Sequence, residues 1–411
     1  MTTTAEGPGL AYYTPPPFGT WWRVLTMWRG PPSNRNTKVT ELTDARNRKL
    51  HFDLYGAATA GCDIDGHSPQ VASIQELSQD LLFYRWNTNS TIWEPQFRGV
   101  IGHSEDTLDG TSHVTNIQAA DYRAMLGRTL APPYVATNQR QEDIVNRLLL
   151  PSQPGQSYPA SIGISYTGVS NPDGSHGNPT PTLRTITYVG TEYVGAEIDK
   201  LATMQGGFDW GIEPWNTGFA GGSPDDPVGN FYLWYPQRGV TKSFTAEYGA
   251  NVASVKRVVD STAFANQVLM TGATGTAAQT ASGDVWTNPQ LHAEGAWQVA
   301  KADSNTSDTG LLLAEAQYEL GFDSNLTPSY QLTLMPGAWI SRDDCWLGDS
   351  VRVKVSSGRL AVDANMRIVQ IDFDIDDAGN EKVSLTVARP PLTLSKVLGD
   401  QSLNLYQLNR R

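Results

Sequence analysis

The 411-residue sequence predicts a mainly β protein with α+β insertions, on three observations. Many short runs are rich in aromatic and β-branched residues and end at Asn, Gly or Asp, which is typical of strands joined by turns. Glycine and proline, at 38 and 25 residues, supply many such turns. Helical spacing of apolar residues occurs in only a few segments, so helices should be the minority.

A first β-domain is expected over residues 18–130, after an arm over residues 1–17. Its clearest strands form a meander at residues 81–86, 97–102 and 113–119. Each run is short and rich in aromatic or β-branched residues, and polar or acidic turns separate the runs. Such consecutive strands predict an antiparallel sheet.

Other elements complete this domain. Residues 21–28 and 50–55 predict two further strands. Residues 120–126 place apolar side chains three and four positions apart, which predicts a helix after the meander. The segment carries no obvious catalytic group, which favours a structural module.

An α+β domain is expected over residues 131–240. Residues 141–150 have helical spacing with acids in the first turn, and residues 194–205 have it again before a Gly-Gly stop. Residues 151–182, between them, are rich in Pro, Gly, Ser and Asn, which predicts an exposed loop. Two strands follow at residues 208–213 and 231–235, and residues 218–229 form the loop that connects them.

A second β-domain is expected from two separated segments, residues 241–270 and 330–392. Residues 271–329 form an insertion associated with the α+β domain, with a helix at residues 310–319, and residues 393–411 form a C-terminal tail. Both β-regions combine a strand that carries Arg or Asp at alternate positions with a helix-bearing insertion, as expected if one domain was duplicated. Spacing alone does not establish that duplication.

The composition disfavours several classes of protein. A formal net charge of −12 disfavours sequence-independent DNA binding, because an acidic surface repels phosphate. Cys62 and Cys345 have no metal-ligand spacing and predict two buried free thiols. The first residues lack the pattern of a secretory signal, and no run of about 18 apolar residues predicts a membrane span.

Two acidic segments are candidates for metal binding. Asp372, Asp374 and Asp376 alternate within one predicted strand, which would place three carboxylates on one face. Carboxylates can bind Ca²⁺ or Mg²⁺, but a solvated strand face is the favoured interpretation because the EF-hand pattern is absent. Residues 62–67 contain two Asp and one His, yet their Asp-Gly pair and the following Ser-Pro favour a plain turn.

No catalytic, cofactor-binding or metal-binding residue is assigned from the sequence. Gly-x-Ser-x-Gly is absent, residues 271–275 lack the Lys of a nucleotide loop, and no two histidines have helical ligand spacing. We therefore expect a protein that is not an enzyme and has no cofactor. Five aromatic residues could stack on sugar rings, although core or subunit-interface positions are favoured: Trp210, Trp215, Phe219, Trp234 and Tyr235.

Several motifs recur in the order found in one protein family, over roughly residues 20–392. They are the strand pair at residues 80–86 and 97–102, Ala119-Ala120-Asp121-Tyr122, Gly206-Gly207-Phe208-Asp209-Trp210, Ala265-Asn266-Gln267-Val268, Leu347-Gly348-Asp349-Ser350-Val351 and Met366-Arg367-Ile368-Val369. In these motifs the sequence resembles the tail-hub proteins of long-tailed bacteriophages, also called baseplate hub or tail-associated proteins. The resemblance is to the minor tail proteins of phages that infect actinobacteria in particular.

The resemblance implies hub-protein architecture, with two tail-tube-like β-barrel domains plus additional α/β domains. It implies a homotrimer whose six barrels form a pseudo-six-fold ring, with a distal tail protein ring, the tape-measure protein and tail-tip or fibre proteins as partners. Genomic DNA would pass through without specific binding, and Asp372, Asp374 and Asp376 are the candidate channel lining. The protein would lie in the virion tail tip, and in the host cytoplasm before assembly.

The alternative hypothesis is a carbohydrate-binding or cell-wall-degrading tail-tip protein. Paired glycosidase carboxylates come together only in space, so the sequence leaves this open. Glycan binding, or release of sugars from host wall by the purified chain, would favour the alternative, whereas silence in both favours the structural hub. A secreted β-sandwich adhesin is disfavoured because no signal peptide is expected.

Overall fold

A computed structural model describes most of the chain. The described residues are 21–29, 36–88, 91–149, 163–204, 206–214, 228–259, 261, 264–272, 278–282, 297–302, 309–310, 312–313, 316–317, 320, 328–338, 342 and 344–388. None of the helices within these ranges is long and apolar enough to cross a membrane. The predicted arm (1–17), the predicted tail (393–411) and residues 218–227 of a predicted loop lie outside them.

Most of the described secondary structure consists of strands, and a few helices lie between them. In chain order they are β1 (Trp22–Trp28), β2 (Lys38–Glu41), β3 (Arg46–Asp53), β4 (Thr59–Asp65), a 3-10 turn (Val71–Ser73), β5 (Gln79–Asn87), β6 (Ile92–Asp109), β7 (Ser112–Ala120), α1 (Tyr122–Leu126), β8 (Tyr134–Arg140), α2 (Gln141–Leu149), β9 (Ile164–Ser170), β10 (Leu183–Tyr188), α3 (Val194–Thr203), β11 (Asp209–Pro214), β12 (Gly229–Trp234), β13 (Thr241–Glu247), β14 (Val252–Val258), β15 (Gln267–Thr271), β16 (Ala278–Ser282), β17 (Gln298–Ala302), β18 (Ser329–Leu334), β19 (Ser350–Val355), a 3-10 turn (Gly358–Leu360), β20 (Val362–Ile375) and β21 (Glu381–Ala388). The described residues between 309 and 320 are helical, in agreement with the helix predicted there.

Most strands belong to one large sheet in the order β14-β18-β21-β20-β3-β4-β7-β6-β5-β1-β2, with β19 on β20 and β13 on β19. We call β1–β7 the first β-unit, and β13, β14 and β18–β21 the second β-unit. β3 pairs with β20 from Asp53 opposite Gln370 to Arg48 opposite Ile375, so the two units share one sheet. The mainly β fold class that the sequence predicts is confirmed.

The two β-units repeat one strand order. The first unit runs β3-β4-β7-β6-β5-β1, and the second runs β14-β18-β21-β20-β19-β13. A register shift lies between Ile101 and His103 in the β6–β7 hairpin, and another lies between Ile368 and Gln370 in the β20–β21 hairpin. The units differ in one pair, since β1 is antiparallel to β5 whereas β13 is parallel to β19. The shared order supports the duplication that spacing left open.

One continuous hydrophobic core spans both β-units. The Phe52 ring of β3 lies with its centroid 5.1 Å from Trp346 and 6.1 Å from Phe373 of the second unit. Phe373 is also 5.7 Å from Trp22 of the first unit, in an edge-to-face contact. Aromatic rings from both units therefore close the junction beneath the paired strands.

The α+β module between the units has a core of its own. Strand β10 pairs with β8, and β9, β12 and β11 form a three-stranded sheet in which β9 and β12 are parallel. Ile144 and Leu148 of α2 and Ile198 and Leu201 of α3 are all buried in this core, at the helical spacing the sequence predicts. Asp121 caps α1 by accepting a hydrogen bond from the Arg123 N–H.

β15 lies outside the sheet in which the sequence analysis places it. Residues 241–258 do join residues 329–388, because β14 pairs with β18. β15 pairs instead with β16 and β17 in a separate three-stranded sheet. Its buried Val268 and Met270 pack on helical residues of the insertion, so its apolar face belongs to that small core. The segment of the second unit therefore ends before β15, and not at residue 270.

One local prediction is wrong, and another is confirmed in part. β9 occupies part of the predicted loop at residues 151–182, because Ile164 and Val169 are buried in the core of the module. The turn predicted within residues 62–67 is present after Asp65, where the Ser68 N–H donates to the Asp65 carbonyl at 2.8 Å. Residues up to Asp65 belong to β4, because alternate residues of this strand are buried in the shared core. The turn begins at Asp65 itself, whose Oδ1 accepts a hydrogen bond from the His67 N–H at 2.9 Å.

Candidate channel-facing groove

A polar groove of about 1150 Å³ crosses the junction between the two β-units. The groove is lined by strands β18, β21, β20, β3, β4, β7 and β6, and alternate residues of β18 and β21 face it. Its charged and histidine side chains are Lys49, His51, Asp63, His103, Asp372, Asp374 and Lys382. The groove is therefore polar and carries charges of both signs.

Asp372 lies in this groove and links the two units. Its Oδ1 is 2.6 Å from Nδ1 of His51, directly across the β3–β20 pair. Both side chains remain partly exposed, at 47% and 38% of their surface. The contact therefore joins the units on the face that is open to solvent.

Asp374 also lines the groove, between two lysines. It is opposite Lys49 of β3 on one side and opposite Lys382 of β21 on the other. Opposite charges on neighbouring strands attract one another. The two groove aspartates of β20 therefore lie within a nearly balanced set of charges and do not form a purely acidic wall.

Asp376 does not share this face, contrary to the sequence prediction. β20 ends at Ile375, so Asp376 belongs to the turn that follows. Its carboxylate accepts hydrogen bonds from the backbone N–H and the side-chain amide of Asn380, each at 2.8 Å. The Asn380 bonds lower the pKa of Asp376 below its ordinary value. The sequence alternation continues past the point where the turn reverses the chain.

The second acidic candidate, at residues 62–67, also has one aspartate in the groove and one in a turn. Asp63 lies in the groove and accepts hydrogen bonds from Asn47 and Asn116 at 2.8 and 2.7 Å. Asp65 closes the turn with His67 instead. Among the residues that the structure describes, no group of three or more His, Cys, Asp or Glu side chains could hold a metal ion.

An ionic network that the sequence analysis did not single out fixes the α+β module to the second β-unit. Arg367 of β20 pairs with Asp209 of β11 and donates from Nε to the Gly348 carbonyl at 3.1 Å. Asp209 also accepts from the Arg238 backbone N–H at 2.6 Å. Three of the motifs that carry the family resemblance contribute Asp209, Gly348 and Arg367, so their order along the sequence was the available signal.

Glu213 and two arginines form the adjacent part of this network. Glu213 accepts from Arg342 at 3.0 Å and from Arg238. Although burial alone would raise it, the two guanidinium groups hold the pKa of Glu213 below its ordinary value. Each arginine also lies over an indole ring, Arg238 at 4.3 Å from Trp234 and Arg342 at 4.2 Å from Trp346.

Two of the aromatic residues considered for sugar stacking lie in the interior. Trp210 and Trp234 are only 3% and 4% exposed, and Trp210 stacks on Phe231 with ring centroids 5.3 Å apart. The core position favoured for these two is confirmed. Trp215 and Phe219 lie outside the described residues. Cys62 and Cys345 are buried free thiols, which confirms that prediction as well.

No protein-family model and no curated protein sequence matches the chain. The 43 kDa tail protein of prophage MuSo2 from Shewanella oneidensis is similar in structure, with a TM-score of 0.59 at 14% identity over 90% of this chain and 98% of its own. A tail protein from Neisseria meningitidis MC58 has a TM-score of 0.59 at 13% identity over 90% of this chain and 97% of its own. Prophage tail protein gp18 from Listeria monocytogenes EGD-e has a TM-score of 0.52 at 11% identity over 93% and 99% of the two chains. At these identities the likeness establishes the fold alone, which this chain shares with the three tail proteins.

Proposed function

We propose that the chain is a structural tail-hub protein of a bacteriophage that infects actinobacteria. Three copies form a ring at the tail tip, and each copy contributes two β-barrel domains. The observation that carries this proposal is the strand order repeated in the two β-units. Two similar units in each of three chains give six similar positions, which fit the six-fold end of a tail tube.

The proposed domain division follows the sheets. The first β-unit and the second β-unit form the ring, and the α+β module with the insertion lies outside it. The ring connects a distal tail protein and the tape-measure protein to tip or fibre proteins. The chain would be made in the host cytoplasm and incorporated into the virion, and the proposal assigns it no catalytic role.

The polar groove is the proposed channel-facing surface. Asp372 and Asp374 line it, together with Lys49, Lys382 and His51. Charges of both signs avoid a strongly basic wall that would hold phosphate. With a net charge of −12 on each chain, the assembled ring repels DNA at longer range, so the genome slides through without being bound.

Reconstruction of the virion tail tests the proposal directly. We expect density for three copies of this chain at the tip, with the groove on the channel wall. Six copies, a single copy or a location on the tail sheath or fibres would contradict the ring. A groove on the outer wall would contradict the channel assignment alone.

A charge reversal tests the channel lining in infection. The double variant Asp372→Lys/Asp374→Lys adds positive charge to the groove, so DNA should be held there and infectivity per assembled particle should fall by about tenfold or more. Asp376→Lys/Asp377→Lys makes the same charge change in the neighbouring turn and should leave infectivity near the unmodified level. Equal losses in the two variants would argue against a channel role for the groove.

A further inference from the structure

Several strand edges of the large sheet are free among the described strands, and two of them, β14 and the end of β6, have a paired counterpart elsewhere in the repeat. β14 pairs only with β18 among the described strands. β6 pairs with β5 as far as Val100, and Leu77 and Glu76 then contact Ile101 and Ser104. Among the described strands, residues 103–109 pair only with β7. Free edges carry unpaired backbone N–H and C=O groups that can pair with another strand.

The repeat shows what the β6 edge corresponds to. In the β6–β7 hairpin, the residue after the register shift is His103, and in the β20–β21 hairpin it is Gln370. When the two strands are aligned at these residues, residues 103–108 of β6 correspond to residues 370–375 of β20. Residues 370–375 are the segment of β20 that pairs with β3 inside the chain.

The β14 edge has a matching counterpart. β14 flanks β18 as β3 flanks β4, and β18 pairs with β21 as β4 pairs with β7. Through these pairs, Ser329 corresponds to Thr59, so its partner Val258 corresponds to His51. β14 is therefore the β3 of the second unit, with no β20 beside it in the same chain.

We propose that residues 103–109 of β6 pair antiparallel with β14 of a second copy of this chain, as β20 pairs with β3 within one copy. The inference rests on the proposed function, since it names the contact that joins one copy to the next in the ring. The equivalent positions place Glu105 opposite Val258, Asp106 opposite Arg257, Thr107 opposite Lys256 and Leu108 opposite Val255.

The two edges are complementary in charge. The β6 edge carries Glu105, Asp106 and Asp109, all exposed, and β14 carries Lys256 and Arg257. The β3–β20 pair inside one chain has the same arrangement of charges, because the acidic end of β20 lies beside the basic strand β3. Opposite charges on adjacent strands favour pairing, and like charges on each edge oppose its pairing with itself.

The apolar side chains fit the same register. Leu108 is 70% exposed in the single chain, and the proposed pairing would cover part of its apolar surface. Its proposed partner, Val255, is partly buried against the shared core. A contact between two different edges is head-to-tail, and it closes into a ring when the rotation between copies permits.

A pair of cysteines tests the register in the full-length chain. In Thr107→Cys/Lys256→Cys the two thiols would face each other across neighbouring copies, within the spacing a disulfide needs. We expect covalent dimers and trimers under oxidising conditions, which disappear on reduction. Lys49→Cys/Asp374→Cys is the matched control, because the equivalent positions face each other within one chain. This pair should form a disulfide inside each chain and give no covalent oligomers.

The outcomes separate the strand pairing from the ring. Covalent products that continue past trimers support the pairing and contradict a three-membered ring. A ring that assembles without cross-linking, while the control pair closes, overturns the pairing and leaves the tail-hub function in place. A chain that stays monomeric at every concentration also overturns the pairing. So does equally efficient cross-linking in Thr40→Cys/Lys256→Cys, in which the first cysteine lies on the edge strand β2.

A charge exchange gives an independent measurement. Asp106→Arg and Arg257→Asp should each weaken association between copies by about tenfold, because each puts like charges opposite one another. The double variant Asp106→Arg/Arg257→Asp restores opposite charges at every contact and should recover association. Sedimentation gives the association constants, and circular dichroism shows that each variant folds. Failure of the double variant to recover, with all three folded, would contradict this register.

Discussion

Asp80 and Arg98 form an ion pair in the interior of the first β-unit, with neither side chain exposed. Arg98 donates from Nε to Asp80 at 2.8 Å, and the Tyr122 hydroxyl donates to the same carboxylate oxygen. Burial, together with the Asp80 carboxylate, raises the pKa of Tyr122 well above its ordinary value. Tyr122 begins α1, so this pair ties the meander to the α+β module.

Removing one partner of this pair should be costly. Arg98→Met leaves the Asp80 carboxylate buried without a cation, and we expect a loss of about 3–5 kcal/mol in unfolding free energy. Asp80→Leu/Arg98→Met removes both charges and should recover part of that loss. Urea unfolding measures both. Arg352→Met, at an exposed ion pair with Asp363, is the control and should leave the midpoint nearly unchanged.

Asp121 gives the stability a pH dependence of known sign. Burial raises the pKa of Asp121 from 3.8 to about 6, although the Ala58 and Arg123 N–H groups donate to its carboxylate. An acid whose pKa is higher in the folded state binds a proton on folding, so its contribution falls as the pH rises toward the folded value. This contribution is complete below the ordinary pKa and lost above about pH 6.

The variant Asp121→Asn removes this titration and keeps one acceptor oxygen. We expect its unfolding free energy relative to the parent chain to increase between about pH 4 and about pH 7. Denaturant unfolding across that range measures the difference. Asp376→Asn should change in the opposite direction and at lower pH, around and below the ordinary pKa of 3.8, since the pKa of Asp376 is lowered in the folded chain. A flat difference for Asp121→Asn would show that this carboxyl does not titrate in the range.

At the scale of elements, β20 is the strand that both β-units share. Its first part pairs with β19 of its own unit and its last part with β3 of the other. Phe373 places its ring among aromatic side chains of both units. A loss of packing at this one position should therefore affect the whole sheet.

Phe373→Ala should lower the unfolding free energy by about 3–5 kcal/mol, because it leaves a cavity between the two units. Phe373→Leu retains most of the apolar volume and should cost clearly less. Both values come from urea unfolding at one pH. A loss below about 1 kcal/mol in Phe373→Ala would mean that the junction repacks around the missing ring.

Elements with strong local signals could be predicted, and elements defined by distant partners could not. The meander and α2 have clear periodicity, and the structure contains both. β9 has only a few apolar positions among polar neighbours and becomes a strand by pairing parallel with β12. β15 has a strand pattern, but sequence alone could not decide which sheet it joins.

The same distinction between local and distant signals applies to the candidate groove. Alternation along one strand correctly placed Asp372 and Asp374 on one face, because that is a local property of β structure. The lysines beside Asp374 come from strands far away in the sequence, so the mixed charge of the groove was not predictable. The end of β20 before Asp376 depends on hydrogen bonds to Asn380.

For the whole molecule, the shared sheet and shared core make the two β-units one cooperative body. The α+β module has a second core, which also includes Val100 of β6, and the Asp209, Glu213 and arginine network joins the module to the second unit. We expect the module to unfold locally more readily than either β-unit, because its core can open without breaking the β3–β20 pair.

Hydrogen exchange measured by mass spectrometry tests this division in the intact chain. Leu385→Ala removes a fully buried side chain of β21, and exchange should accelerate in β3 and β4 of the first unit as well as in the second unit. Ile144→Ala makes a similar cavity in α2 and should accelerate exchange in α2 and α3 while β3 and β20 remain protected. If Leu385→Ala affects only the second unit, the β3–β20 pair does not couple the two units energetically. The reverse result, in which Ile144→Ala opens the large sheet, would mean that the ionic network couples the module to both units as strongly as the shared core couples the units to each other.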